Sequence, residues 1–211
     1  MTPEAALDRG VRELAIALPG GATEKLLQYA ALLTKWNRTY NLTAIRDPLE
    51  MVSQHLLDSL AVLPHLPMSS GASLADIGSG SGAPGLPMAI ARPDWQITLN
   101  DANEKKAAFL RQAAIELQLA NVAVHEGRAE AWQPTSGFHV VISRAFAELS
   151  VFIRACRHLL AGGGWLAAMK GVFPQAELAG VPGDCDCSRV VPIHVPLLEA
   201  ARHLVLCRPR S

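Results

Sequence analysis

The sequence predicts an α/β protein: a parallel sheet with helices on both faces, behind a helical N-terminal segment. Three observations predict it. Residues up to about 70 carry helical periodicity, whereas beyond them short apolar runs alternate with helical stretches. A glycine-rich turn at 78–85 leaves one such run and enters a helix. Asp101 then closes the next apolar run, where a carboxylate can meet a ligand held by that turn.

Each element has a local reason. Pro19-Gly20-Gly21 separates two N-terminal helices, and Leu26, Leu27, Ala30 and Leu33 give the second its apolar face. A third helix starts at Asp47, with Pro48 in its first turn and Glu50 three residues after the cap. Leu49, Val52, Leu56, Leu57 and Leu60 line one side of it as far as Pro64. After a Ser/Gly link at 69–73 come strand 74–77, helix 84–91, strand 95–100, helix 103–119 and strand 122–126. Strand 139–143, helix 149–160 and strand 165–169 continue the alternation. Segments 189–195 and 201–207 have no long helix between them and are expected to form an antiparallel pair. The expected organisation is a helical segment, 1–70, and a main domain, 71–211, in one compact unit.

Composition narrows the function classes. Half of the 211 residues are hydrophobic and 18% are charged, with 19 basic residues against 19 acidic ones. That balance disfavours purely electrostatic binding to nucleic acid, although a local patch would suffice for phosphate contacts. The start, Met1-Thr2-Pro3-Glu4, lacks a basic region followed by an apolar run, and no apolar run approaches the roughly 18 residues that span a bilayer. A cytoplasmic protein without membrane attachment is expected. Cys185 and Cys187 form a CxC pair with no second pair or nearby His at metal-ligand spacing. No metal site is expected, and Cys156, Cys185, Cys187 and Cys207 are expected to be reduced. Without a coiled coil or an additional apolar face, a monomer is expected.

The chemistry centres on Asp76-Ile77-Gly78-Ser79-Gly80-Ser81-Gly82-Ala83-Pro84-Gly85. Glycines permit a tight turn and close approach of backbone to a ligand. Gly80-x-Gly82-x-x-Gly85 satisfies a dinucleotide fingerprint, while no Gly-Lys-Ser/Thr follows, which disfavours nucleoside triphosphate hydrolysis. Asp101, 21 residues after Gly80, can accept hydrogen bonds from a ribose diol in NAD or in S-adenosylmethionine. Two features favour the methyl donor. The Asp76 carboxylate attracts a cationic methionine end and repels a pyrophosphate. The chain also has little room for a second mononucleotide half and a substrate domain. A small NAD-dependent oxidoreductase is the rival reading.

Further motifs carry a resemblance. They are Trp36-Asn37 with Tyr40-Asn41-Leu42-Thr43, and His55-Leu56-Leu57-Asp58-Ser59-Leu60. The loop from Asp76 to Pro87, Lys105-Lys106 with Phe109-Leu110, and Gly127-Arg128-Ala129-Glu130 follow. Ser143-Arg144-Ala145 and Lys170-Gly171 complete the set. In this order they resemble the bacterial small-subunit ribosomal RNA guanine-7 methyltransferase family, RsmG, also called glucose-inhibited division protein B. The resemblance runs from about Leu32 to Lys170, with a weaker tail, and Ala83 departs from the Phe common in the family loop. It implies a Rossmann-like seven-stranded S-adenosylmethionine methyltransferase sheet behind the helical segment. It also implies donor contacts at Gly78, Ala83, Ala129, Glu130 and Arg144, with Asp101 toward the ribose. Asp76 and Gly80 of the loop join this cofactor-binding set. All of these fall at the carboxyl ends of predicted strands, where open α/β sheets bind ligands.

The implied acceptor is a guanine of small-subunit (16S) ribosomal RNA, met as RNA or within the small ribosomal subunit. Ring nitrogen 7 carries an in-plane lone pair and no proton, so methyl transfer to it needs no general base. Catalysis then rests on alignment and electrostatics. The resemblance selects Asn41, His55, Arg144 and Lys170 as the residues that hold the base. Taken alone, each has a plainer reading: a turn residue, a core histidine, a structural ion pair and a solvated strand end. Lys35, Arg38, Lys105, Lys106, Arg111 and Arg128 are candidates for phosphate contact, and Trp36 and Tyr40 for base stacking. The competing functions are methyl transfer to another acceptor and a non-catalytic ribosome-assembly factor that binds RNA.

Overall fold

The computed structural model describes residues 1–144, 146 and 148–210, so Ala145 of the Ser143-Arg144-Ala145 motif lies outside the described residues. Helix α1 (Pro3–Glu13) begins where the Thr2 hydroxyl accepts from the Ala5 N–H at 3.2 Å. Helix α2 (Ala22–Tyr40) buries Leu26, Tyr29 and Leu33 completely, and a fully buried Leu contributes about 2 kcal/mol. Asp47 caps α3 (Pro48–Met51) by accepting from the Leu49 and Glu50 N–H groups at 2.9 and 3.0 Å.

The helix expected from Asp47 to Pro64 is not continuous. After α3 the chain widens into a π-helical turn, Val52–Leu57, before α4 (Asp58–Leu60). Such a turn accommodates one extra residue and redirects side chains, often at functional positions. Here it carries His55. A 3-10 turn, Leu63–His65, leads toward the sheet.

Seven strands follow in the spatial order β3-β2-β1-β4-β5-β7-β6. They are β1 (Ser73–Ile77), β2 (Gln96–Asp101), β3 (Val122–Glu126), β4 (Phe138–Arg144), β5 (Leu160–Lys170), β6 (Cys185–Pro192) and β7 (His203–Pro209). The first five run parallel, and β7 is antiparallel to both β5 and β6. Helices α5 (Gly85–Ala91), α6 (Glu104–Glu116) and α7 (Leu149–Cys156) make the crossovers. The order reverses between β1 and β4, which opens a crevice at their carboxyl ends.

The alternation and the final antiparallel pair follow the sequence-based expectation, with shifted ends. The helix expected over 149–160 stops at Cys156, and β5 starts at Leu160 by taking Gly162, Gly163 and Gly164 into the sheet. A five-residue helix, α8 (Gln175–Ala179), is too short to leave a periodic signal. One apolar layer joins Leu7, Tyr29 and Leu57 of the N-terminal helices to Leu74, Leu86 and Val140. The other face packs Ile77, Val141 and Leu166 against Phe152 and Ile153 of α7. Among the described residues, no helix is long and apolar enough to cross a membrane.

The cysteines depart from expectation. Cys187 on β6 and Cys207 on β7 form a disulfide, with Cα atoms 4.1 Å apart. Antiparallel pairing of β6 with β7 brings them face to face, which a separation of 20 residues does not reveal. Cys156 and Cys185 are free and buried, and burial pushes the Cys156 thiol up to about 12. The Cys185, Cys187 and Cys207 sulfurs lie within 4.8 Å of one another, but with Cys187 and Cys207 bonded only Cys185 of the three keeps a thiol.

Candidate active site

The glycine loop is shaped by positions that only glycine fills without strain. Gly78, Gly80 and Gly82 have φ of +67°, +56° and +95°. Gly85 is required by close approach: a Cβ there would stand 2.8 Å from Asp76 Oδ2 and collide with Leu99. Four side chains tie the loop down. Asp76 Oδ2 accepts from the Gly85 N–H at 2.9 Å, and Asp101 Oδ2 accepts from the Gly80 N–H at 2.9 Å. The Tyr29 hydroxyl, buried under α2, donates to the Ser81 carbonyl at 2.9 Å. The Ser143 hydroxyl on β4 donates to the Ile77 carbonyl at 2.7 Å, which fixes the start of the loop.

Asp76 is buried, and its Oδ1 has no hydrogen-bond partner among the described residues. Burial pushes its carboxyl up to about 6, against the opposing pull of the Gly85 N–H, Ser79 and the Arg144 charge. Such an orphaned acceptor suits a ligand that brings a cation or an N–H donor. Beside it, a Cβ on Gly78 would meet nothing within 4 Å, and one on Gly80 would meet only the Gly78 carbonyl at 3.7 Å. The residues therefore fit a donor with a cationic amino-acid end and a ribose, as the sequence suggests for S-adenosylmethionine. Asp101 already receives the Gly80 and Asn103 N–H groups at 2.9 Å each, one on each oxygen, and each oxygen keeps a lone pair for a diol.

A third wall forms beyond β2. The Asn100 amide donates to the His125 and Gly127 carbonyls at 3.2 and 2.9 Å, which draws the 3-10 turn Ala129–Ala131 toward the crevice. Ala129 is buried and Glu130 exposed. Trp132 stacks on His125 with ring centroids 4.2 Å apart. Ala83 is buried in the loop, and the peptide bond between Ala83 and Pro84 is cis.

The π turn brings His55 to Arg144. Buried His55 reaches Thr43 Oγ1 through Nε2 at 3.0 Å and Arg144 Nη2 through Nδ1 at 2.9 Å. A guanidinium only donates, so Nδ1 accepts and Nε2 carries the proton. Burial and then the Arg144 charge hold the imidazole down to about 3. Arg144 also donates to the Gln54 carbonyl at 2.7 Å and to Asp58 Oδ2 at 3.2 Å. Arg202, just before β7, binds the other Asp58 oxygen at 2.9 Å. The Asn37 amide clamps Thr43 N and O at 2.9 Å each, which positions the hydroxyl that meets His55.

His55 and Arg144 thus stand together at the end of β4, near enough to the loop for the Arg144 charge to act on Asp76. The hydrogen bonds of Arg144 run toward the N-terminal segment. Asn41 ends α2 in the left-handed region at φ 50° and is exposed. Lys170 is held by Glu177 of α8 at 2.7 Å, and the same carboxylate oxygen accepts from the Leu149 N–H. Trp36 packs between Tyr40 and Phe109, with centroids at 5.2 and 5.5 Å, leaving Tyr40 as the exposed ring of the pair. Sequence reasoning did not mark Tyr29, Asn100, Glu177 or Arg202. Its motifs included Asn37, Thr43, Asp58 and Ser143 without giving them a role.

The chain matches the family model described as rRNA small subunit methyltransferase G over residues 22–205. It is similar to the ribosomal RNA small subunit methyltransferase G of Methylobacillus flagellatus, 51% identical over 97% of this chain and 98% of that protein. It is likewise similar to the protein of the same name from Chromobacterium violaceum, 52% identical over 95% of each chain. Among solved structures, an S-adenosylmethionine-dependent methyltransferase from Aquifex aeolicus shares the fold, with a TM-score of 0.61 at 16% identity over 84% of this chain and 97% of that one. Likeness over nearly the full length of these relatives means that this chain belongs to the rRNA small subunit methyltransferase G family.

Proposed function

We propose that the protein transfers a methyl group from S-adenosylmethionine to ring nitrogen 7 of a guanine in small-subunit ribosomal RNA. When bound, the donor supplies an electrophilic methyl group on a sulfonium. In this reading Asp76, Gly78, Gly80, Ala83 and Asp101 hold it, with Ala129 and Glu130 flanking its base. Asn41, His55, Arg144 and Lys170 face the acceptor as one working unit formed by segments 1–70 and 71–211. The partner is the RNA or the small subunit, met by a monomer in the cytoplasm.

The observation that carries the reading is the His55–Arg144 pair. Methylation at nitrogen 7 removes no proton before attack, so a basic imidazole would have no task. His55 is held neutral, with Nδ1 committed to Arg144 and Nε2 to Thr43. That arrangement fixes a guanidinium beside the crevice; it does not shuttle protons. Arg144 can then orient the guanine through its hydrogen-bonding edge, as guanidinium groups do on planar acceptors. Alignment of this kind can supply roughly 7 kcal/mol or more of rate enhancement.

The test is methyl transfer from labelled donor to small subunits lacking 7-methylguanosine, followed by nucleoside mass analysis. A 7-methylguanosine signal that is lost in Asp101→Ala and Arg144→Ala proteins supports donor, target atom and site together. Absence of label in every form of the RNA, from protein that binds the donor, would remove the ribosomal acceptor from the proposal.

A further inference from the structure

We propose that Val172 and Phe173 form a stacking surface for an unpaired nucleobase next to the target guanine. The inference rests on the acceptor reading above and adds a specificity element that no sequence motif marked. Val172 and Phe173 are 77% and 51% exposed, consecutive apolar side chains in the turn that follows Lys170. Two adjacent apolar side chains left in water at one spot are available for contact with a partner.

The turn is held on both sides, so the ring is presented in a fixed place. His203 Nδ1 donates to the Gly171 carbonyl at 3.0 Å, and the Gln175 N–H donates to the Phe173 carbonyl at 3.0 Å. Glu177 anchors the following helix to Lys170 and to the Leu149 N–H. The Phe173 ring meets His203 edge-on, with centroids 5.6 Å apart and planes at 84°. The Lys170–His203 register places this turn just past the carboxyl end of β5, whose Met169 pairs with Arg144.

Charge and chemistry select the occupant. The three nearby cations, Lys170, Arg144 and Arg202, are met by two carboxylates, Glu177 and Asp58, so most of their charge is already committed within the protein. The whole chain carries no net charge, so phosphate attraction alone gives a weak grip on RNA. A base drawn into the crevice leaves its neighbour without a stacking partner, and an aromatic face can replace that partner whatever the base. Of the exposed large apolar side chains among the described residues, only Tyr40 and Phe173 are aromatic.

The experiment compares wild-type protein with Phe173→Ala, Phe173→Leu and Phe173→Tyr. Binding to small subunits lacking 7-methylguanosine is measured in the presence of S-adenosylhomocysteine, with donor affinity and thermal melting as controls on folding. Alanine and leucine should each weaken subunit binding by about tenfold, and tyrosine should keep it within about twofold. Leucine equal to phenylalanine would point to apolar contact with a protein and overturn the proposal, as would an alanine variant that binds normally. If wild-type protein binds subunits without methylating them, the methyl-transfer reading falls, and the order of the three variants still decides stacking. Failure of wild-type protein to bind subunits overturns both.

Discussion

Asp58 is the residue whose loss should cost most for its size. Its side chain is 3% exposed and carries two guanidinium groups, Arg144 at 3.2 Å and Arg202 at 2.9 Å. Removing one partner of a buried ion pair typically costs about 3–5 kcal/mol, because the remaining charge is stranded. Here the arginines keep 23% and 24% side-chain exposure, and each retains a carbonyl: Gln54 for Arg144 and Ala201 for Arg202. Asp58→Ala therefore belongs at the lower end, about 3 kcal/mol. For a domain of this size that lowers Tm by roughly 6–12 °C. Asp58→Asn keeps the volume and one acceptor, so it should lose about half as much. Urea unfolding of both variants and of Arg202→Ala supplies the stability terms, and the Asp58→Ala/Arg202→Ala double variant gives the coupling between them. At temperatures well below Tm, Asp58→Ala should also lower methyl transfer more than donor affinity, because Arg144 loses its anchor. An Asp58→Ala protein within about 1 kcal/mol of wild type would refute the reasoning, since exposed ion pairs contribute no more than that.

Three further outcomes follow from the same geometry. His55 stays neutral down to about pH 3 when folded, while its unfolded form takes a proton below about 6.5, so stability falls as pH drops through that interval. His55→Asn should flatten this decline in urea titrations run at successive pH values. Asp76 has the opposite sign: its folded carboxyl titrates near 6 against an ordinary 3.8, so stability falls as pH rises between those values. Asp76→Asn should thus be at least as stable as wild type above pH 6, while calorimetry finds donor affinity reduced by about tenfold or more. Tyr29→Phe removes the hydroxyl that holds the Ser81 carbonyl; it should cost about 1 kcal/mol in unfolding and weaken donor binding about fivefold, with no change in the RNA's own affinity.

Local grammar accounts for what could be foreseen. Alternating strand and helix patterns, the Asp47 cap and the glycine loop are written within a few residues, and backbone sterics enforce them wherever the chain goes. The grouping of Asp76, Gly78, Gly80 and Asp101 was legible for the same reason: they sit at or just after strand ends, and the parallel sheet carries every such end to one edge. The residues proposed to meet the acceptor were named only through resemblance. His55 is an ordinary helical histidine until the π turn points it at Arg144, 89 residues away.

The sequence by itself determined the α/β class, the order of the elements and the glycine loop, because each depends on periodicity or on conformations that few residues adopt. Only the tertiary structure decided who meets whom. It joined Asp58 to Arg202 across 144 residues, Leu149 to Glu177, Tyr29 to the glycine loop, and Cys187 to Cys207. Long-range pairs of this kind leave no spacing rule in the chain. Strand register and helix docking fix them once apolar burial has settled the fold, and buried polar groups then take the partners that this burial places within reach.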